Sequence, residues 1–89
     1  MPQITIQVLN KVGLHARPAA LFVQEANKYQ CDIRVRKDGT EANAKSILSV
    51  LTLGAEQGCS IAVVAEGEDA DAALAALQAL ANANFLEPE

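Results

Sequence analysis

Residues 32–54 read DIRVRKDGTEANAKSILSVLTLG, and this stretch decides the fold. Over Asp32 to Lys37, Ile33 and Val35 alternate with Asp32, Arg34 and Arg36, the two-residue period of a half-buried strand. Asp38-Gly39 comes next. A type I′ turn needs positive φ at both central positions, so this pair is the strongest short hairpin signal a sequence can carry. The strands on either side of it are therefore expected to be antiparallel neighbours. Ser46 then stands before the apolar run Ile47-Leu48-Ser49-Val50-Leu51-Thr52-Leu53, and Gly54 follows it, which reads as N-cap, short helix and C-terminal glycine.

Working outward, Gln3 to Asn10 places Ile4, Ile6 and Val8 on one side and Thr5 and Gln7 on the other, a first strand. After Gly13-Leu14-His15, the residues Ala19, Phe22, Val23 and Ala26 recur at helical spacing, with Gln24, Glu25, Asn27 and Lys28 facing away. Pro18 falls in the opening turn of that helix, where its missing N–H costs nothing and its fixed φ suits the geometry. Downstream, Ser60 to Glu66 carries Ile61 and Val63 on one face and makes a fourth strand that Gly67 ends. Asp69 is read as the cap of a last helix, with Ala70, Leu74, Leu77 and Ala81 as its apolar stripe and Asp71 in its first turn. The order is β-α-β-β-α-β-α. Strands with one apolar face call for helices on that face only. The expected class is α+β: an open-faced β-sandwich, a four-stranded antiparallel sheet with three helices packed on one face and water on the other.

The chain has 89 residues, which suits one domain over residues 1–89. Its formal net charge is -4 and it has only three aromatic residues (Phe 2, Tyr 1), with no run of Lys or Arg, so no nucleic-acid partner is expected. Cys31 and Cys59 form no CxxC or Cys/His pattern and are read as small half-buried hydrophobes; no metal and no cofactor is expected. Met1-Pro2-Gln3 leads straight into alternating residues and no stretch is long enough to span a bilayer, so a cytoplasmic protein without membrane insertion is expected.

One segment gathers several phosphate-binding features: Gly13-Leu14-His15-Ala16-Arg17-Pro18, at the junction of a strand and a helix. The first N–H groups of a helix lack intrahelical partners and carry the positive end of the macrodipole, so a dianion held there gains about 0.3–1 kcal/mol, and up to ~2 when partly buried. His15, the single histidine, stands at the cap. Arg17 brings a planar guanidinium that can bind the same oxygens bidentately. A neutral imidazole is a nucleophile, and the helix terminus and Arg17 both disfavour imidazolium, so a lowered His15 pKa is expected. On these residues alone, an anion site and a plain capping or loop histidine both remain open readings.

The run NKVGLHARPAALFVQEA (residues 10–26) closely resembles the active-site segment of the histidine-containing phosphocarrier family, HPr, of the bacterial phosphoenolpyruvate-dependent phosphotransferase system. A second run, NAKSILSVLTLGAEQG (residues 43–58), resembles that family's regulatory-serine helix at the matching distance, and length and element order agree over essentially the whole chain. The resemblance implies a stoichiometric carrier rather than an enzyme. Enzyme I, charged by phosphoenolpyruvate, would pass its phosphoryl group to Nδ1 of His15, and the group would go on to an Enzyme IIA domain for sugar uptake. By position, His15 is the phosphoacceptor, Arg17 its electrostatic stabiliser, and Ala16 and Arg17 the suppliers of helix-start N–H groups. Ser46 matches the position that an HPr kinase/phosphorylase modifies in some bacteria, after which the protein partners a catabolite-control regulator; the same serine is also a preferred helix N-cap. Partners in the family dock around the histidine on the first two helices, which singles out Ala20, Leu21, Ile47, Leu48, Leu51 and Gly54. Family members often carry lysines around this patch, whereas this chain has Gln24, Asn27 and Ser49, leaving Lys11, Arg17 and Lys45 as the positive charges. A monomer is expected.

Two rivals are a relative that only binds and regulates through Ser46, and an unrelated α+β ligand-binding domain. Paired carboxylates, a second histidine and a glycine-rich nucleotide loop are all missing from the sequence, which argues against a self-contained enzyme.

Overall fold

The computed structural model describes residues 2–8, 16–54, 56 and 58–83. Its elements follow the expected order: β1 (Gln3–Gln7), α1 (Ala16–Ala26), β2 (Asp32–Lys37), β3 (Thr40–Asn43), α2 (Ile47–Leu53), β4 (Ser60–Glu66) and α3 (Ala70–Asn82). The four strands form one sheet in the order β1-β4-β2-β3, and every neighbouring pair is antiparallel. The hairpin between β2 and β3 closes at Lys37↔Thr40. Asp38 at φ 49 and Gly39 at φ 82 supply the two positive φ values the turn requires. β1 was read as far as Asn10. The strand ends at Gln7, the ladder runs on through Val8, whose N–H donates to the Cys59 carbonyl at 2.8 Å and whose carbonyl accepts from Gly58 N–H at 2.7 Å, and residues 9 and 10 lie outside the described residues.

Alternation fixes which side of the sheet is dry. Ile6 and Val8, Ile33 and Val35, Ala42, and Ile61, Val63 and Ala65 all point inward and are buried. Against them pack Ala19, Phe22 and Ala26 of α1, Val50 and Leu53 of α2, and Ala70, Ala73, Leu74, Leu77 and Ala81 of α3. Burying each large aliphatic side chain contributes about 1.5–3 kcal/mol, so this layer is what holds the helices on the sheet. The outer face is polar, as expected. Arg34 Nη1 lies 2.7 Å from Glu41 Oε1 and Arg36 Nε 2.8 Å from Glu41 Oε2. The hydrogen bonds from Arg36 and Arg34 hold the Glu41 carboxyl below the usual carboxylate range. Val64 breaks the pattern: it faces outward yet is only 7% exposed. It sits on an inner strand between Gln3 and Arg34, and a long arginine stem beside a valine covers it while the charged head stays in water.

Two expectations are corrected. Asp69 occupies the N-cap position of α3 but makes no side-chain cap hydrogen bond. Its two carboxylate oxygens instead accept the backbone N–H groups of Gln30 and Cys31, each at 2.9 Å. Two charge-assisted bonds outcompete the single bond a cap would offer. They tie the β4–α3 connection to the α1–β2 connection, and they hold the Asp69 carboxyl below its ordinary value, the bond from Gln30 N–H foremost. Cys31 is buried rather than half-buried, whereas Cys59 is intermediate. Burial, and next the hydrogen bond with Asp69, push the Cys31 thiol up, which keeps it protonated and inert. Gly67 passes directly over Cys31: at φ 143, a Cβ on Gly67 would meet Cys31 Cβ at 2.7 Å. Only glycine fits that crossing.

Candidate functional site

α1 begins at Ala16, the residue that follows His15 in the sequence. Its first turn carries no acidic side chain, so no carboxylate of that turn compensates the positive end of the helix dipole. Pro18 is among the fully buried side chains, and Ala19, Phe22 and Ala26 lie in the core, so the start of α1 is anchored to the sheet. Arg17 points outward and is exposed. Gly13, Leu14 and His15 lie outside the described residues, and with them the expected depression of the His15 pKa. What α1 brings to the site is therefore a fixed helix start with backbone N–H groups at Ala16 and Arg17 and an exposed guanidinium.

The start of α2 is built by caps and clasps. Ser46 is extended (φ -113, ψ 116) and half-buried; its Oγ accepts the Ser49 N–H at 3.3 Å, and its carbonyl accepts from Val50 at 3.0 Å. Gly54 ends the helix in the left-handed region at φ 69. Both cap readings hold. The sequence reading missed what fixes the turn before Ser46. Asn43 Oδ1 accepts the Lys45 N–H at 2.9 Å, a local turn geometry typical of asparagine. Asn27, read as facing away from the core, donates to the Val23 carbonyl at 2.9 Å and to the Lys45 carbonyl at 3.2 Å. Lys45, expected to be a positive charge at the docking face, directs its Nζ to the Tyr29 carbonyl at 2.6 Å. The end of α1 is thereby tied to the residue before Ser46. Only the polar character of Asn27 and Lys45 hinted at this, and it does not specify a partner.

The apolar candidates divide as a short, greasy helix must. Val50 and Leu53 enter the core, while Ile47, Leu48 and Leu51 are 40%, 72% and 39% exposed, the large hydrophobics exposed among the described residues. Ala20 and Leu21 on α1 are half-buried and Gly54 is exposed, and α1 and α2 pack against each other. Exposed apolar clusters on folded proteins commonly belong to contact surfaces. Among the described residues no group of three or more His, Cys, Asp or Glu could hold a metal ion, and no helix is long and apolar enough to cross a membrane.

A family model described as the PTS HPr component phosphorylation site matches residues 2–83. The chain belongs to the HPr family. It is 44% identical to the phosphocarrier protein HPr of Pseudomonas aeruginosa over 90 residues, covering 100% of both chains. It is 47% identical to the HPr-like protein Crh of Bacillus subtilis over 79 residues, 89% of this chain and 93% of that one. Among solved structures it is similar to HPr-C-His from Thermoanaerobacter tengcongensis, with a TM-score of 0.96 and 47% identity over 100% of each chain; HPr of that organism has also been solved as a dimer. The family and the open-faced sandwich fold are therefore as the two sequence runs implied. The family includes phosphocarrier proteins, carriers rather than catalysts, and also the HPr-like protein Crh, the Bacillus subtilis catabolite repression HPr.

Proposed function

We propose that this chain accepts a phosphoryl group from phospho-Enzyme I on Nδ1 of His15 and passes it to Enzyme IIA domains for sugar uptake. The observation that carries this reading is the helix that starts at the residue after His15, with no acidic side chain in its first turn and Arg17 exposed beside it, in a chain that the family model covers over residues 2–83. Chemically, the lone pair of Nδ1 attacks phosphorus as the bond to the donor breaks, and the reverse geometry delivers the group to the acceptor. Such transfer asks mainly for positioning and for compensation of charge on the phosphoryl oxygens. Arg17 supplies a guanidinium for those oxygens, and Ala16 and Arg17 supply N–H groups at the positive end of α1.

Ser46 is proposed as a regulatory site for an HPr kinase/phosphorylase, with a catabolite-control regulator as the partner of the modified form. A dianion there is tolerated by the α2 terminus and opposes docking of acidic partner surfaces. Ala20, Leu21, Ile47, Leu48, Leu51 and Gly54 form the proposed docking face. The working form is proposed to be a cytoplasmic monomer and one domain spanning residues 1–89.

Similarity to Crh favours a second reading, regulation through Ser46 without transfer at position 15; retention of His15 argues for the carrier. One experiment separates them. Incubation with Enzyme I and phosphoenolpyruvate should give an acid-labile, base-stable phosphate that is absent from His15→Ala and leaves the chain when an Enzyme IIA domain is added. No adduct on the wild-type chain, with an Enzyme I that phosphorylates another HPr, refutes the carrier reading and leaves the regulator.

A further inference from the structure

The turn before Ser46 is tied to the end of α1 by two side-chain clasps that differ in kind. Asn27 Nδ2 bridges the Val23 carbonyl at 2.9 Å and the Lys45 carbonyl at 3.2 Å; this clasp is neutral on both sides. Lys45 Nζ reaches back across 16 residues of sequence and donates to the Tyr29 carbonyl at 2.6 Å; this one is charged on the lysine side only. Tyr29 lies between α1 and β2, and its own N–H donates to the Ala26 carbonyl at 3.3 Å. The next residue, Gln30, is fixed through its N–H by Asp69. A well-held backbone thus offers its Tyr29 carbonyl to an ammonium on a flexible four-carbon stem, and the residue that carries that ammonium is the immediate neighbour of Ser46.

We infer that Lys45 is a phosphate-responsive clasp: when Ser46 carries a phosphate, the Lys45 ammonium leaves the Tyr29 carbonyl for the phosphate oxygens, and Asn27 alone keeps α1 on the turn. This rests on the reading of Ser46 as a modified residue and specifies what the modification does inside the chain. Phosphoserine carries about 1.5 to 2 negative charges at neutral pH and three strong acceptor oxygens, so a bond that was charged on one side becomes charged on both. Lysine can follow the new charge because its ammonium is a point charge with three rotatable donors rather than a planar fork. Modification therefore adds negative charge at Ser46, withdraws the Lys45 cation from incoming acidic partners, and frees the carbonyl at the end of α1.

The test uses chains in which phosphoserine is placed at position 46 during synthesis, so that no kinase is needed, beside the unmodified chain, each as wild type, Lys45→Met and Lys45→Arg. Carbon-13 resonance of the Tyr29 carbonyl reads the clasp, and a phosphorus-31 pH titration reads the phosphate. In the wild type, phosphoserine should move the Tyr29 carbonyl signal to the position it has in unmodified Lys45→Met. The phosphate should titrate about 0.5–1 pH unit lower in the wild type than in Lys45→Met, and Lys45→Arg, which keeps the charge, should restore the lower value. An unmoved Tyr29 signal in the modified wild type overturns the inference without recourse to any variant, and so does a phosphate that titrates alike with lysine and methionine at position 45. The expected shifts, in a chain whose Ser46 an HPr kinase/phosphorylase with ATP leaves unmodified, would uphold the clasp and remove the regulatory reading of Ser46.

Discussion

Truncating Leu48 to alanine separates docking from folding. Leu48 is 72% exposed on α2, and leucine and alanine have similar helix propensity. Its loss should therefore change stability by less than about 0.5 kcal/mol, as at other exposed positions. Docking is different. Full burial of a leucine side chain is worth about 1.5–3 kcal/mol, and nearly three-quarters of this one is in water before docking, which leaves roughly 1–2 kcal/mol at stake when a partner covers it. That corresponds to a Kd for Enzyme I raised by about 5- to 30-fold. Calorimetric titration of Enzyme I with wild type and Leu48→Ala measures this directly, and urea denaturation of both proteins checks the fold. Asp71→Ala, on the exposed side of α3, is the control and should leave Kd unchanged. A Leu48→Ala variant with a wild-type urea midpoint and a Kd within twofold of wild type would show that α2 is not at the interface.

Three further outcomes follow from the structure. Gly67→Ala must place a Cβ 2.7 Å from Cys31 Cβ and 2.9 Å from its Cα at a φ that favours glycine, so it should destabilise by about 2–5 kcal/mol in urea; Gly58→Ala, at φ 91 with nothing within 4 Å, should cost only the backbone strain, and equal midpoints would mean that the crossing is not tight. Asp69 has a folded-state carboxyl pKa below its ordinary value because backbone N–H groups bind the ionised form, so its contribution is present above the unfolded-state pKa and is lost as pH falls through the depressed one. The urea midpoints of wild type and Asp69→Asn should therefore differ at pH 7, begin to approach each other near the unfolded-state carboxylate pKa of about 4 and meet only below the depressed folded-state one; a gap that stays constant would mean that the bonds to Gln30 and Cys31 do not depend on the charge. Ser46→Asp retains a capping side chain and should fold normally yet slow transfer from Enzyme I by at least about fivefold, equivalent to about 1 kcal/mol; an unchanged rate removes Ser46 from the proposed regulation.

What could be read from the sequence was local. Asp38-Gly39 announces its hairpin because two adjacent positive φ values restrict residue choice, and Ser46 and Gly54 bracket α2 because unpaired helix-end groups favour those residue types. Alternation in β1, β2 and β4 assigns Ile6, Ile33, Val35, Ile61 and Val63 to the core without any tertiary information. Asp69 was misread because the motif it resembles, a helix cap, is local, whereas the N–H groups it binds lie 38 and 39 residues away. Asn27 and Lys45 escaped for the same reason: their partners belong to other elements, and a polar side chain does not carry its partner's address. Val64 faces outward, and its burial at 7% exposure depends on which strands flank β4, which the sequence of β4 does not state. The proposed site is readable in the sequence only as residue types, His15 and Arg17 around an expected helix start, of which the structure describes the start of α1 and Arg17; donor, acceptor and regulator come from resemblance, since spacing does not encode a partner.

Phosphoryl transfer to His15 can be read atom by atom by nuclear magnetic resonance of the 15N-labelled chain after incubation with Enzyme I and phosphoenolpyruvate. A single phosphorus signal correlated with Nδ1 of His15, and absent from His15→Ala, is the expected result. Phosphorus on Nε2, on any other residue, or on none while Enzyme I is demonstrably charged would contradict it.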